Sequence, residues 1–442
     1  MDAIANGTTA GDTVNLNATN SDGSAWNNVG AAFTLEGVEK FSVSNNATLR
    51  TDSKRGTATP TGTETITTET EVAEYVTLTV DSKFFNGGIQ EKTDKGMLIV
   101  SGGFTTPGEY TSNAGYVEKL HITGGTFELT GSDDDRGYLV VTSTDEDAVK
   151  ISGGATLKVS EAENSEFPVG IFSASHYNSL GLGSNDKTDN YNIYEDTSPV
   201  NITVDNGILE INRSVESAEL FAYIGAGGVI VDVAENMNLR IGDVTLTTGI
   251  TSNAEPIVTK KGKGMWKIEH GFDLRTTTED DQSFQGVLNV KAGTVVFDAG
   301  TTSYMKQLEI SGGTVELVGG GSNPGEGATI ILPDNDGNNI TPDAIYIHGN
   351  GTLKINGDNV GLLNPAQAAL YSGDYDDSQI HNVPLGMTID GGTVVVTGDN
   401  ELIAPGLFLY IGKNGATIDI DDVDTTNGQD RAVVGNVGLV RR

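Results

Sequence analysis

The segment ISGGTVEL at residues 310–317 recurs in closely similar form elsewhere in the chain. It reads ITGGTFEL at residues 122–129 and IDGGTVVV at residues 389–396. In each copy an apolar residue precedes a glycine pair, and apolar and polar residues alternate after it. Glycine adopts backbone angles that other residues reach only at a cost, so the pair predicts a tight turn. The alternation with a period of two predicts a strand with one buried face.

Looser copies of this strand–turn–strand phrase continue along the chain. Aligned on the residue after the turn, the copies fall at residues 48, 126, 156, 208, 238, 265, 294, 314, 352, 393 and 417. One coil of a solenoid takes about 20–30 residues, and inserted loops lengthen individual coils. The recurrence of one turn phrase, without helix signals between the copies, therefore predicts coils that stack on one another.

We expect an all-β fold, a right-handed parallel β-helix (β-solenoid) with an irregular N-terminal cap or side lobe. The inward residues of its strands would form one apolar ladder. Trp266, Phe297 and Leu317 are expected to point inward, and Glu316 is expected to point outward. A barrel or a chain of β-sandwiches is the competing fold, and it would show hairpin turns roughly 8–12 residues apart.

The same pattern divides the chain into three parts. Residues 1–120 fit the phrase poorly apart from one early coil, and they are assigned to the N-terminal cap or side lobe. Residues 121–431 are assigned to the parallel β-helix with its loop insertions. Residues 432–442 form an apolar, strand-prone C-terminal segment. Because unpaired strand edges template further strands, this segment is expected to contact another subunit.

Composition excludes several classes of protein. Asp and Glu number 61 against 26 Lys and Arg, which gives a net charge of −35, and cysteine is absent. Such a charge repels phosphate backbones, so nucleic acid is not expected as a partner. Without cysteine there is no disulfide, thiol catalysis or zinc–thiolate site. No apolar run reaches about 18 residues, so direct membrane insertion by a helix is not expected.

The location is expected to be extracellular or at the cell surface. Abundant Thr, Asn, Gly and Asp with scarce Lys is typical of secreted bacterial and archaeal surface proteins. The first residues lack the basic start and apolar core of a secretory leader. Either the protein stays inside the cell, or this is a mature or engineered chain whose leader is missing, and the composition favours the second alternative.

The search for catalytic motifs predicts that the protein is not an enzyme and has no catalytic residues. The five histidines are widely spaced, and the sequence contains neither a Gly-x-Ser-x-Gly elbow nor a phosphate-binding loop. No organic cofactor is expected. A β-helical polysaccharide lyase or hydrolase is the competing hypothesis. It would need calcium-binding carboxylates beside a basic residue, and no coil places Asp and Arg on adjacent rungs.

Calcium is the one candidate cofactor. The candidate ligands are acidic residues that alternate with other residues beside glycine turns: Asp334, Asp336, Asp422, Asp424 and Asp430. Alternating carboxylates near a glycine turn suit hard cations, although the EF-hand pattern is not met. The alternative is that these are solvated acidic loops.

Residues 259–300 read TKKGKGMWKIEHGFDLRTTTEDDQSFQGVLNVKAGTVVFDAG. This stretch resembles the autotransporter-associated β-strand repeat of bacterial surface proteins with β-helical passengers. That repeat runs T-K-x-G-x-G-x-L, a polar stretch, an aromatic-x-Gly step and x-V-x-x-G-T-L. The matching residues are Thr259, Lys260, Gly262, Gly264, Trp266, Phe284, Gly286, Val290, Gly293, Thr294 and Val295. The resemblance implies a passenger-like solenoid, mostly found among adhesins and surface structural proteins.

Two functions follow as expectations. The first is an extracellular structural protein whose β-helical subunits self-assemble head to tail into a surface fibre or layer, so that its partner is itself. The alternative is a monomeric adhesin or passenger domain that binds glycans or a host or neighbour-cell surface.

Overall fold

The structure is a computed structural model. It describes residues 12–16, 26–27, 38–43, 47–49, 69–72, 77–81, 89–93, 97–101, 114–130, 137–160, 169–173, 199–217, 220–250, 254–278, 281–320, 326–333, 343–357, 359–365, 367–368, 385–397, 402–403, 407–421 and 436–438. The chain divides into two units, Met1–Phe221 and Ala222–Arg442, and each is described by itself.

The described part of the first unit consists of short strands. They are β1 (Asp12–Leu16), β2 (Trp26–Asn27), β3 (Val38–Val43), β4 (Ala47–Leu49), β5 (Glu69–Val72), β6 (Thr77–Asp81), β7 (Ile89–Thr93), β8 (Met97–Ser101), β9 (Ala114–Val117), β10 (Lys119–Ile122), β11 (Thr126–Thr130), β12 (Gly137–Val141), β13 (Val149–Ser152), β14 (Thr156–Ser160), β15 (Val169–Ser173), β16 (Val200–Asp205), β17 (Gly207–Ile211) and β18 (Val215–Ser217). The next strand, β19 (Leu220–Ile224), spans the boundary.

These strands form three parallel ladders. One runs β1–β3–β5–β7–β10–β13–β16. A second runs β2–β4–β6–β8–β11–β14–β17, and a third runs β9–β12–β15–β18. Successive strands of one coil, such as β10, β11 and β12, belong to different ladders. The first unit is therefore a parallel β-helix, and its coils that contain β9, β12, β15 and β18 are three-sided.

The β-helical strand pairing begins at Asp12, inside residues 1–120, which were predicted to form an N-terminal cap or side lobe. Strands β1 to β8 continue the ladders of the later coils in register. The remaining residues of 1–120 lie outside the described ranges, and the boundary at residue 120 stays a prediction.

The second unit has the same construction. Its strands are β20 (Val229–Val233), β21 (Asn238–Leu246), β22 (Ile257–Lys261), β23 (Met265–Asp273), β24 (Arg275–Thr278), β25 (Asp281–Phe284), β26 (Val287–Val290), β27 (Thr294–Phe297), β28 (Thr302–Tyr304), β29 (Gln307–Ile310), β30 (Thr314–Val318), β31 (Thr329–Ile331), β32 (Ile345–His348), β33 (Thr352–Asn356), β34 (Val360–Leu363), β35 (Leu385–Asp390), β36 (Thr393–Thr397), β37 (Leu402–Ile403), β38 (Leu407–Ile411), β39 (Thr417–Asp421) and β40 (Asn436–Gly438).

Three parallel ladders form the sides of this β-helix. The strands before the repeated turn stack as β20–β22–β26–β29–β32–β35–β38–β40. The strands that follow the repeated turn stack as β21–β23–β27–β30–β33–β36–β39. The third side is β28–β31–β34–β37. An antiparallel hairpin, β24–β25, is inserted in one coil.

The core is the set of inward residues that the alternation predicted. Trp266 is 1% exposed, and Phe297 and Leu317 are fully buried, which confirms the predicted inward positions. The rings of Trp266 and Phe272 are 5.4 Å apart, and those of Phe272 and Phe297 are 5.6 Å apart. The first contact joins two inward side chains of β23, and the second joins β23 to β27 of the next coil, so burial of the core and pairing of the strands reinforce each other.

Glycine at the repeated turn is required by close backbone contacts. A Cβ atom on Gly264 would lie 2.1 Å from the carbonyl oxygen of Ala234 in the preceding coil. Gly293 has a φ of +68°, and a Cβ atom there would lie 2.4 Å from the oxygen of Gly262. The turns of successive coils therefore pack too closely for a side chain at either position.

A satellite apolar cluster lies on the third side of the second unit. Ile331 and Leu363 are buried, and Phe284, Tyr304 and Ala368 pack against them. Phe284 comes from the inserted hairpin, so this insertion covers apolar side chains that would otherwise face water.

A helical turn follows β34 beside this cluster. The Asn364 side chain accepts from the Gln367 backbone N–H at 2.8 Å, and the Gln367 side chain accepts from the Asn364 N–H at 3.0 Å. This reciprocal pair is a capping box, and Pro365 occupies the first helical position, where its missing N–H costs nothing.

Among the described residues, no helix is long and apolar enough to cross a membrane.

Candidate functional surfaces

The proposed calcium ligands Asp334, Asp336, Asp422, Asp424 and Asp430 lie outside the described residues. Within the described ranges, no group of three or more His, Cys, Asp or Glu side chains could hold a metal ion. The calcium assignment therefore stays a prediction.

Several described carboxylates are neutralised by a basic side chain of an adjacent coil. The ammonium of Lys119 lies 2.6 Å from both Asp145 and Asp147, in the loop that precedes the next coil. The hydrogen bonds that Lys119 donates to Asp145 and Asp147 raise the pKa of Lys119, and they lower the pKa of both carboxyl groups. The lysine thus occupies the space between two carboxylates that a bound cation would need.

The same pairing recurs on the outward faces of the sheets. Lys158 lies 3.1 Å from Glu128 on the neighbouring strand, and Lys354 lies 3.0 Å from Glu316. Both pairs are in register in the parallel ladders. The polar residues between the inward pairs therefore form ion pairs between adjacent coils, and in both pairs the glutamate side chain is less exposed than the lysine.

Two lysines occupy inward positions. Lys260 is fully buried, and its ammonium donates to the carbonyl oxygens of Lys261, of Gly262 at 2.9 Å and of Ala292 at 3.4 Å. Lys92 is 1% exposed and donates to the Gly124 oxygen at 3.1 Å. Both ammonium groups therefore bind carbonyls of the glycine turns. Burial lowers the pKa of Lys260 to about 8, and the Asp232 carboxylate opposes this change.

The end of the after-turn ladder in the second unit leaves apolar surface open. In register, Leu353 pairs with Val394, and Val394 pairs with Ile418 of β39. The exposed fraction rises from 0% at Leu353 to 8% at Val394 and 48% at Ile418. Among the described strands, β39 pairs only with β36. The last member of this inward row, Ile418, is thus exposed, and its strand, β39, has one edge that pairs with no described strand.

The before-turn ladder carries polar and aromatic side chains on its outer face. Asn289, Glu309, Tyr346, Thr388 and Tyr410 occupy equivalent outward positions on five successive strands, and we call this row the Tyr346 strip. All five side chains are partly exposed. The strip therefore presents amide, carboxylate, hydroxyl and phenol groups along the direction in which the coils stack.

Hydrogen bonds order the Tyr346 strip. Asn289 Nδ2 donates to Glu309 Oε2 at 2.8 Å, and Ser311 Oγ donates to Asn289 Oδ1 at 3.4 Å. His348 Nε2 lies 3.0 Å from Glu309 Oε1. The His348 ring stacks on Tyr346 with centroids 4.4 Å apart and planes 21° apart. The Tyr346 ring and the Glu309 carboxylate are thus held by neighbouring side chains.

Among the described residues, two further contacts between histidine and carboxylate are looser. His121 lies 3.7 Å from Asp147, and His270 lies 3.6 Å from Asp243. The absence of an enzymatic function stays a prediction.

Neither the inward lysines nor the Tyr346 strip was predicted from the sequence. A signal for the lysines was present in two related segments, KTDKGM at residues 92–97 and KKGKGM at residues 260–265. A signal for the strip would have come from aligning the strands before the turn, where Glu309 and Tyr346 fall at the same position.

Comparisons with protein-family models, with curated proteins and with solved structures found no match to this chain.

Proposed function

We propose that the protein is an extracellular structural subunit that self-assembles into a surface fibre or layer. In this proposal, a second copy of the chain adds its own β-structure to the open end of the second unit. The observation that carries the proposal is the exposure of Ile418 at the end of a column whose other members are buried.

The open end favours strand addition for two physical reasons. An aliphatic side chain that is half exposed gains free energy when another layer covers it, by about 25 cal/mol for each Å² removed from water. The outer edge of β39 also has backbone donors and acceptors that can pair with an incoming strand. Both gains come from the same event, so the next layer would extend the ladder in register.

The first unit ends in strands that could supply the complementary surface. β1 pairs with β3, and β2 pairs with β4, and neither pairs with any other described strand. A contact between this end of one copy and β39 of another joins two different surfaces. Such a contact repeats without closing when no rotation returns it to the start, and it then produces a filament.

The C-terminal strand also bears on this proposal. β40 pairs in parallel with β38 of the same chain, so its backbone adds a rung to the before-turn ladder. Residues 422–435 and 439–442 lie outside the described residues. A contact of residues 432–442 with another subunit stays a prediction, and cover of β39 by residues 422–435 would leave the protein monomeric.

A matched pair of variants tests the proposal. Ile418→Asp places a charge at the end of the inward column, and it should leave a folded protein that stays monomeric in sedimentation velocity. Ile257→Asp is the control, because Ile257 is 50% exposed but lies at an outward position of β22. The unmodified chain and Ile257→Asp should both form large species as the concentration rises.

Two results would refute this assignment. One is an unmodified chain that stays monomeric at high concentration, which is also the behaviour expected of the alternative, a monomeric surface adhesin. The other is Ile418→Asp assembling as readily as Ile257→Asp. Thermal unfolding of each variant checks that it folds.

A further inference from the structure

We propose that the Tyr346 strip is a binding site for a neutral polysaccharide that lies along the stacked coils. The strip consists of Asn289, Glu309, Tyr346, Thr388 and Tyr410, and His348 and Ser311 support it. It lies on the outer face of the before-turn ladder, so this binding does not depend on assembly through β39.

The two tyrosines suit the apolar faces of sugar rings. Tyr346 and Tyr410 are separated by one strand, that of Thr388, and strand spacing places them about 9.6 Å apart. Phenol rings offer large contact area with few rotatable bonds, and each ring carries one polar group at its end. The His348 ring packs on Tyr346 and limits its motion, which reduces the entropy lost on binding.

The polar groups beside Tyr346 suit sugar hydroxyls. Glu309 is a hydrogen-bond acceptor, Asn289 offers both a donor and an acceptor, and Thr388 offers a hydroxyl. The Glu309 and His348 side chains are 27% and 29% exposed, so their polar atoms can reach a ligand at the surface. Because Asn289 and His348 already hold the Glu309 carboxylate in place, a hydroxyl would meet an ordered acceptor.

Charge complementarity selects a neutral ligand. The carboxylate of the strip, Glu309, already has two hydrogen-bonding side chains, so it does not need a cationic partner. The whole chain carries a net charge of −35, which repels polyanions such as acidic polysaccharides and nucleic acids. A neutral chain of sugar rings meets the aromatic and hydrogen-bonding groups without this repulsion.

Affinity electrophoresis of the full chain in native gels tests the proposal. The probes are the neutral polysaccharides xylan, mixed-linkage β-glucan, galactomannan and soluble starch, and polygalacturonate is the acidic comparison. At least one neutral probe should retard the protein, and polygalacturonate should not. Tyr346→Ala should weaken the retardation about tenfold or more, as expected for an aromatic anchor. Tyr346→Phe should retain most of it, because the ring remains.

The matched control is His270→Ala. His270 also contacts a carboxylate on an adjacent strand, but it lies on β23 and outside the strip. This variant should bind like the unmodified protein, and Glu309→Gln should bind more weakly. No retardation by any neutral probe would overturn the proposal, and so would equal binding by folded Tyr346→Ala or preferential binding to polygalacturonate. None of these results depends on whether Ile418→Asp assembles.

Discussion

Lys92 and Lys260 show how a single residue can depart from a repeated pattern without interrupting the fold. In register, Lys92 pairs with Ile122, and Lys260 pairs with Val290, so both lysines replace apolar residues at inward positions. Each ammonium binds carbonyl oxygens of the glycine turns. Burying an ammonium is unfavourable unless it is hydrogen-bonded, and the turn carbonyls supply these bonds.

The pKa of Lys260 predicts a dependence of stability on pH. Burial lowers it to about 8, against about 10.4 in an unfolded chain. Between these values the unfolded state binds more protons, so this residue raises the free energy of unfolding as the pH increases. The gain is at most about 1.4 kcal/mol per pH unit. Below pH 8 the lysine is charged in both states and the gain is absent.

Urea unfolding at pH 7.5, 8.5 and 9.5 would measure this contribution. Lys260→Met lacks the titrating group, so its free energy of unfolding should not include the increase with pH that Lys260 contributes. The free energy of unfolding of the unmodified chain, minus that of Lys260→Met, should therefore increase from pH 7.5 to pH 9.5. Val231→Met is the control, because Val231 pairs with Lys260 in register but leaves the lysine in place. A stability difference between the unmodified chain and Lys260→Met that does not change with pH would contradict the assignment.

At the scale of the strand, alternation separates core from surface one residue at a time. Leu317 is fully buried between Phe297 and Ile355 of the adjacent strands. Glu316 lies one residue away on the outer face and accepts hydrogen bonds from Lys354 at 3.0 Å and Asn356 at 2.6 Å. The two side chains therefore stabilise β30 by different means.

Substitution at these two positions should have unequal effects. Leu317→Ala should lower the free energy of unfolding by about 2–5 kcal/mol, because it leaves a cavity between stacked coils. Glu316→Ala should lower it by less than about 1 kcal/mol, because the interactions that it loses are partly solvated. Chemical denaturation of both variants measures the difference, and equal losses would show that the alternation does not define the core.

Two of the three sides of each coil could be predicted from the sequence. The turn phrase marks a strand on either side of the glycines, and Trp266 and Phe297 are buried where the alternation places them. The third side was not predicted, because its strands, such as β28 and β31, follow inserts of different lengths and share no turn phrase. The inward lysines were missed because a charged residue is ordinarily assigned to the surface.

At the scale of the whole molecule, the acidic surplus and the open strand edge have opposite effects on association. A net charge of −35 makes copies of the chain repel one another, whereas exposed apolar surface and unpaired backbone groups favour stacking. Salt screens the repulsion over about 10 Å at 0.1 M ionic strength and leaves the apolar contact largely unchanged. Assembly should therefore strengthen as the salt concentration rises.

Electron microscopy of the purified chain over a range of protein and salt concentrations tests the central claim most directly. Our account predicts fibres or layers of regular repeat that become more abundant as the concentration increases and that do not form with Ile418→Asp. Separate particles the size of one chain under all conditions would contradict it.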